Sequence, residues 1–210
     1  MSFVPKHLIQ INGKPLILHV VDAWKDYVDS FIFVIRRSAT YLWEYLPDNS
    51  SIVFQDDLKG LADAIMQSEK LVAGRFIINL GDCIFNGKFQ DHDSLKLGVW
   101  ETNNINEINK SYLVSVKNNS IIRVVEKPFL SNIPNKLNCG MGVYFMDTRI
   151  FSYIRRKGIK PCGGDFTYII QDMIDSGEEI KPNYFTGQYM NVTCPQDIEN
   201  ANKILNKEDK

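Results

Sequence analysis

Asp82 is the residue whose setting says most about chemistry. It lies in the run Arg75-Phe76-Ile77-Ile78-Asn79-Leu80-Gly81-Asp82-Cys83-Ile84-Phe85, whose β-branched and aromatic residues predict a strand buried on both faces. The last turn of such a strand delivers one carboxylate to the C-terminal edge of a sheet, where open α/β sheets bind ligands. Gly-Asp pairs also simply start turns, so the dipeptide alone leaves both readings open. Other reactive residues are less committal. His7 and His19 have no Cys or carboxylate at ligand spacing and read as structural. Cys83, Cys139, Cys162 and Cys194 are scattered without a CxxC pair, which argues against a zinc site or disulfide framework and fits four buried thiols in a reducing, cytoplasmic setting. On composition, Glu126-Lys127 reads as an exposed ion pair at a strand end, and Asp56-Asp57 as a solvated turn.

The elements that must position these residues alternate over the first 85 positions. Pro15 suits a first helical turn, with Ile17, Val20, Val21, Trp24 and Val28 on one face. Phe31 to Ile35 reads as a buried strand, Ser38 as the cap of a helix through Leu46, and Ile52 to Phe54 as a short strand ending at Gln55. Leu61, Ala62, Ile65, Met66 and Val72 mark a further helix face. Such alternation specifies a parallel sheet with right-handed crossovers. After Phe85 come short strands at Leu97 to Trp100, Tyr112 to Val116, Ile121 to Val125 and Gly142 to Met146, with Asn118-Asn119 as a hairpin turn. An amphipathic helix then carries Phe166, Ile169, Ile170, Met173 and Ile174 up to Gly177, and a last one carries Ile198, Ala201, Ile204 and Leu205 before a frayed tail. The expected fold is α/β: a Rossmann-like, mostly parallel sheet flanked by helices, with a smaller antiparallel β portion, in one domain whose halves are 1–85 and 86–210.

Global composition narrows the function. The chain has 210 residues, 44% hydrophobic and 23% charged, with a net charge of −1, enough for one sizeable core and without the broad basic field that nucleic acid would need. Affinity for phosphate must therefore come from a few local groups. No apolar run approaches a membrane span, and the first residues lack a signal-peptide core.

Six fragments then carry a resemblance: Pro5-Lys6; Asn12-Gly13-Lys14-Pro15-Leu16-Ile17; Gln55 with Gly60-Leu61-Ala62-Asp63-Ala64; Leu80-Gly81-Asp82-Cys83-Ile84-Phe85; Glu126-Lys127-Pro128; and Tyr189-Met190-Asn191-Val192-Thr193-Cys194-Pro195-Gln196-Asp197. In this order, and over nearly the whole chain, the sequence resembles the sugar-1-phosphate nucleotidyltransferases, also called nucleoside-diphosphate-sugar pyrophosphorylases. The resemblance implies a Mg²⁺-dependent reaction of a nucleoside triphosphate with a sugar-1-phosphate or similar phosphorylated acceptor such as phosphocholine, releasing pyrophosphate. Neither nucleic acid nor membrane is an expected partner, and self-association into a homo-oligomer stays open. It also implies roles: Asp82 on Mg²⁺ and, with Lys6 on a phosphate, catalytic; Gln55 and Gly60 at the nucleobase; Lys127 at the acceptor phosphate and Glu126 at its hydroxyls; Asn191 as a second metal ligand. Residues 1–85 become the nucleotide-binding half and 86–210 the acceptor half.

Three departures accompany the resemblance. The family opens with a strand and a GxGTR loop whose amides and arginine serve the triphosphate, whereas this sequence begins just before Pro5-Lys6. The expectation is an N-terminally shortened chain, with Met1 an internal methionine and little activity as it stands, since losing such an arginine costs about 10³ to 10⁵ in rate in other phosphoryl-transfer enzymes. Asn191 stands where the family usually has an aspartate, and Leu113 where a glycine often begins the hairpin near the sugar. Two other classes remain: a non-catalytic relative that binds nucleotide or nucleotide-sugar, and a nucleotide-sugar-dependent glycosyltransferase using Asp91-His92-Asp93 as a metal-binding DxD. That tripeptide does not follow directly on an apolar strand and reads as a solvated loop. Gly163-Gly164-Asp165 reads as a helix entry capped by Asp165.

Overall fold

The computed structural model describes residues 5–57, 59–93, 95–131, 135–158, 165–194 and 197–205. It opens with a 3₁₀ turn at Lys6–Leu8 and a small hairpin, β1 (Gln10–Ile11) and β2 (Lys14–Pro15), turned by Asn12 and Gly13 at positive φ. Pro15 caps α1 (Leu16–Trp24) instead of entering its first turn, and Leu16, Ile17, Val20, Val21 and Trp24 form the buried face. β3 (Phe31–Ile35) and β4 (Ser50–Phe54) pair in parallel. Between them, Arg37–Tyr45 is 3₁₀ with a kink at Ala39, and the capping position falls on Arg36. Ser38 therefore caps no α-helix. α2 (Leu61–Gln67) is followed by a 3₁₀ turn at Glu69–Leu71, which leaves Val72 outside.

The central apolar run is two strands, β5 (Arg75–Asn79) and β6 (Cys83–Phe89). The N–H of Cys83 donates to the Leu80 carbonyl at 3.0 Å, closing a turn over Gly81 and Asp82 that starts the next strand. There follow β7 (Lys96–Thr102), α3 (Ile105–Lys110), β8 (Tyr112–Lys117), β9 (Ser120–Glu126), β10 (Leu137–Asp147), α4 (Arg149–Lys157), α5 (Asp165–Asp175), β11 (Lys181–Asn191) and α6 (Asp197–Leu205). Asn118 and Asn119 both hold positive φ in the β8–β9 turn, as expected of an Asn-Asn hairpin. The main sheet runs β6-β11-β7-β10-β8-β9, with β5 also on β10. Among the described residues only its β11–β7 pairing is parallel. The mostly parallel sheet expected from the alternation is thus corrected: the fold is mixed α/β, its main sheet is mostly antiparallel, and β3–β4 form a separate parallel pair. The physical reason is β10, whose core from Cys139 to Met146 is buried throughout. Its continuous apolar surface recruits β7 along one edge, and β8 and then β5 along the other.

That pairing corrects the burial of the first strands. No residue of β3 or β5 is fully buried, although β3 is wholly apolar and β5 is apolar at Phe76, Ile77 and Ile78. Among the described residues β3 pairs only with β4 and β5 only with β10, so each keeps one unpaired edge. α4 and β11 had no counterpart in the periodicity, whereas α5, α6 and Gly177 at φ +91° fall where it placed them. Gly163, Gly164, Cys162, residues 1–4 and the tail from 206 lie outside the described residues. Trp24, Cys83, Met141, Val143, Phe145, Phe185 and Tyr189 form the core cluster under the β5–β6 turn.

Candidate functional site

The β5–β6 turn holds Asp82 clear of both strands. Lys6 Nζ donates to Asp82 Oδ2 at 2.7 Å, and the two side chains remain 37% and 28% exposed. An ion pair this open can exchange partners with an incoming anion or cation at little cost. The Asp82 carbonyl accepts the Val192 N–H at 2.8 Å, which ties the turn to the end of β11. His7 packs over Gly81, its Cδ2 3.4 Å from where a Cβ would stand. Burial lowers the pKa of His7, the Lys6 charge lowers it further and Asp82 opposes them, so the ring is neutral at pH 7.

Behind Asp82 lies a buried polar network. Cys83 Sγ lies 2.8 Å from Asn191 Oδ1 and 3.6 Å from Asp82 Oδ1, so one sulfur touches both predicted metal-site residues. Tyr189 Oη donates to Asn191 Oδ1 at 2.7 Å and accepts the Gly142 N–H at 3.0 Å. Burial raises the pKa of both Cys83 and Tyr189 well above ordinary values, and the Asp82 charge adds to the Cys83 shift. Both groups keep their protons. Tyr189 was absent from the sequence-predicted site; its alternation with Asn191 along a strand, which puts both on one face, is the signal that could have found it.

A second corner forms where β9 ends. Glu126 Oε2 accepts from Thr167 Oγ1 of α5 at 2.5 Å, and Lys127 Nζ stands 4.0 Å from Glu126 Oε1. Lys127 has φ +40°, and its N–H donates to the Ser111 carbonyl at 2.7 Å. Thr167 carried no signal in sequence, being 41 residues from Glu126. β10 links the two corners: Ser111 Oγ donates to the Gly140 carbonyl at 2.6 Å, and Leu80 N–H to the Gly142 carbonyl at 2.9 Å. Two residues of strand span only about 7 Å. Both glycines are needed for space, since a Cβ at 140 would overlap the Tyr112 ring and one at 142 the Cys83 sulfur. Leu113 lies opposite Cys139 in the register.

Gln55 and Gly60 form a third group at the end of β4. Gln55 Nε2 donates to the Gly60 carbonyl at 2.9 Å and to Asp63 Oδ2 at 2.8 Å, so both amide hydrogens are used within the protein. Gly60 holds φ +93° ahead of α2, a conformation that favours glycine. Asp63, only 6% exposed, also accepts from Gln67. The structure thus unites Lys6 with Asp82 and Asn191, Glu126 with Lys127, and Gln55 with Gly60. The contacts of Gln55 are with its own group, not with Asp82.

The donor set next to Cys83 is one carboxylate and one amide. Oxygen donors of this kind suit a hard cation that keeps several waters and takes its other ligands from substrate phosphates. Among the described residues no cluster of three His, Cys, Asp or Glu could hold a metal by itself. Asp91 binds Lys96 Nζ at 2.5 Å and Asp93 binds Arg75 at 3.0 Å, which commits the DxD carboxylates to cationic side chains. Cys83 and Cys139 are buried and free, but Cys194 is half-buried, a correction to four buried thiols; Cys162 lies outside the described residues. Among the described residues no helix is long and apolar enough to cross a membrane.

No family model matches the chain. It is 28% identical over 204 residues to the bifunctional protein GlmU of Methanocaldococcus jannaschii, covering 96% of this chain and 49% of that protein. The chain therefore spans about half the length of this curated relative. It is 26% identical over 235 residues to the UTP–glucose-1-phosphate uridylyltransferase AglF of Haloferax volcanii, covering 97% of this chain and 89% of that one. The fold matches the crystal structure of a putative glucose-1-phosphate thymidylyltransferase from Bacillus anthracis with a TM-score of 0.78 at 20% identity, over 98% of this chain and 88% of that one. Sequence similarity over nearly all of this chain and a shared fold agree with the resemblance that the ordered fragments from Lys6 to Asp197 carry to the sugar-1-phosphate nucleotidyltransferase family.

Proposed function

We propose that the protein transfers a nucleoside monophosphate from a triphosphate to a sugar-1-phosphate or a similar phosphorylated acceptor. An acceptor phosphate oxygen forms the new bond to the α-phosphorus, the bond to the bridging oxygen breaks, and its electron pair leaves with pyrophosphate. Catalysis of this kind rests on positioning and charge neutralisation. The observation that carries the reading is the open Lys6–Asp82 pair, backed by Asn191, at an edge that β10 shares with Glu126 and Lys127.

Each group has work suited to its chemistry. Lys6 moves from Asp82 to a phosphate oxygen of the triphosphate, as a mobile point charge can. Asp82 and Asn191 would hold Mg²⁺, which would supply neutralisation of phosphate charge. Lys127 meets the acceptor phosphate. Glu126, steadied by Thr167, accepts hydrogen bonds from acceptor hydroxyls. Gln55, with both amide hydrogens engaged, offers its oxygen to a base N–H, while Gly60 allows close backbone approach.

Pyrophosphate release tests the reading, using the whole gene product, Mg²⁺, each of four nucleoside triphosphates and a panel of phosphorylated acceptors. Release that requires both substrates supports it. Binding of nucleotide without release would instead make the protein a binding module, and sugar transfer from a nucleotide-sugar would make it a glycosyltransferase.

A further inference from the structure

The chain from Gly142 through Tyr189 to Asn191 has a direction. A backbone N–H can only donate, so Tyr189 Oη accepts from Gly142 at 3.0 Å and its own proton is free to point onward. Cys83 Sγ stands 3.4 Å from the hydroxyl, but the nearer partner for its proton is Asn191 Oδ1, an amide oxygen that accepts it at 2.7 Å. Cys83 Sγ approaches the same oxygen at 2.8 Å, and the same sulfur lies 3.6 Å from Asp82 Oδ1. The Tyr189 ring is buried and is held edge-on by Trp100 at 5.7 Å between centroids. β10, β11 and β6 each contribute one anchor.

An asparagine amide left free presents oxygen or NH₂ with little preference, and only the oxygen attracts a cation. We propose that Tyr189 is a positioning residue which holds the Asn191 oxygen, not its NH₂, in the neighbourhood of Asp82, so that one carboxylate and one neutral oxygen suffice for a divalent cation. The inference rests on the nucleotidyltransferase reading. Tyr189 touches neither substrate nor cation; it acts through Asn191.

The test is a double-mutant cycle on cation binding, with Mn²⁺ as probe and free Mn²⁺ read by electron paramagnetic resonance. Outer-sphere partners of metal ligands typically contribute about 10- to 100-fold in affinity. Y189F and N191A are each expected to weaken Mn²⁺ binding by about tenfold or more, and Y189F to add less than about twofold in the N191A background, because coupled residues are not additive. Unchanged Mn²⁺ affinity in Y189F, or the same loss in both backgrounds, overturns the proposal while leaving the transferase reading intact. Equal Mn²⁺ binding by wild type and D82N overturns the reading, and the proposal with it. Y189F leaves the Gly142 N–H without its acceptor; should that variant fail to fold, the wild-type NMR signal of the Asn191 amide, assigned by its loss in N191A, decides. A rigid amide protected from exchange supports the proposal, and rapid rotation and exchange overturn it.

Discussion

Lys6 Nζ and Asp82 Oδ2 meet at 2.7 Å although 76 residues separate them. The 3₁₀ turn that carries Lys6 is thereby brought against the β5–β6 turn that carries Asp82, which sets a cation and an anion together at the proposed phosphate site. Replacing Lys6 with Met should lower pyrophosphate release by about 10² to 10³, the scale of removing one electrostatic stabiliser. Its melting temperature should stay near wild type, since a pair this exposed contributes little to stability. Parallel assays of rate and melting separate the two effects; a variant that loses both equally would make Lys6 structural.

Gly142 lacks a side chain because Cys83 occupies the space. A Cβ there would overlap Cys83 Sγ and press on Leu80 Cδ1 at 2.9 Å. Gly142→Ala should destabilise the protein by about 1–3 kcal/mol, as overpacking does. Adding Cys83→Ala removes the sulfur and should recover part of that loss. Urea denaturation of both single variants and the double variant measures the coupling, and simple additivity would contradict the contact.

Gln55, proposed above to read the nucleobase, also serves stability, because it donates to the buried carboxylate of Asp63. Gln55→Leu leaves that oxygen without this donor and should cost about 1–3 kcal/mol. Nucleotide affinity should fall at the same time. Chemical denaturation and calorimetric titration with UTP read the two losses; wild-type stability in Gln55→Leu would show that the Asp63 contact is not formed.

Acid should loosen the segment that follows Asn191. Burial alone would raise the Asp197 carboxyl, but the N–H groups of Cys194 and Thr193 and the Thr193 hydroxyl outweigh it and hold the pKa down to about 2, from an ordinary 3.8. A folded-state pKa below the unfolded value means stability that is fully present above about pH 4 to 5 and is lost as pH falls toward 2. Asp197→Asn should cost about 1–2 kcal/mol at pH 7 and less at pH 2. Denaturation curves at the two pH values check the sign; an equal cost at both would place the effect elsewhere.

The sequence was legible wherever local chemistry decided the structure. Periodicity located α1, α5 and α6, Asn118-Asn119 located a hairpin turn, and the Gly-Asp step located the turn that presents Asp82. Pairing was not legible, because β5 takes its partner from β10, more than sixty residues onward, and no local pattern encodes that choice. The same holds within the site. Lys6 and Asp82 were nameable one by one from the resemblance, but Thr167 beneath Glu126 and Asp63 beneath Gln55 are set by helix packing. Asn191 was named as a ligand, while Tyr189, two residues earlier on the same face, was placeable by strand alternation but its contact with Cys83 depends on β11 lying beside β6.

Asp82 carries the central claim, and pyrophosphate release by the whole gene product, compared between wild type and Asp82→Asn, probes it most directly. Wild type should release pyrophosphate only when Mg²⁺, a triphosphate and a phosphorylated acceptor are all present, and Asp82→Asn should fall by about 10² or more at unchanged melting temperature. Equal release by the two proteins, or none from wild type with any triphosphate and acceptor, would contradict it.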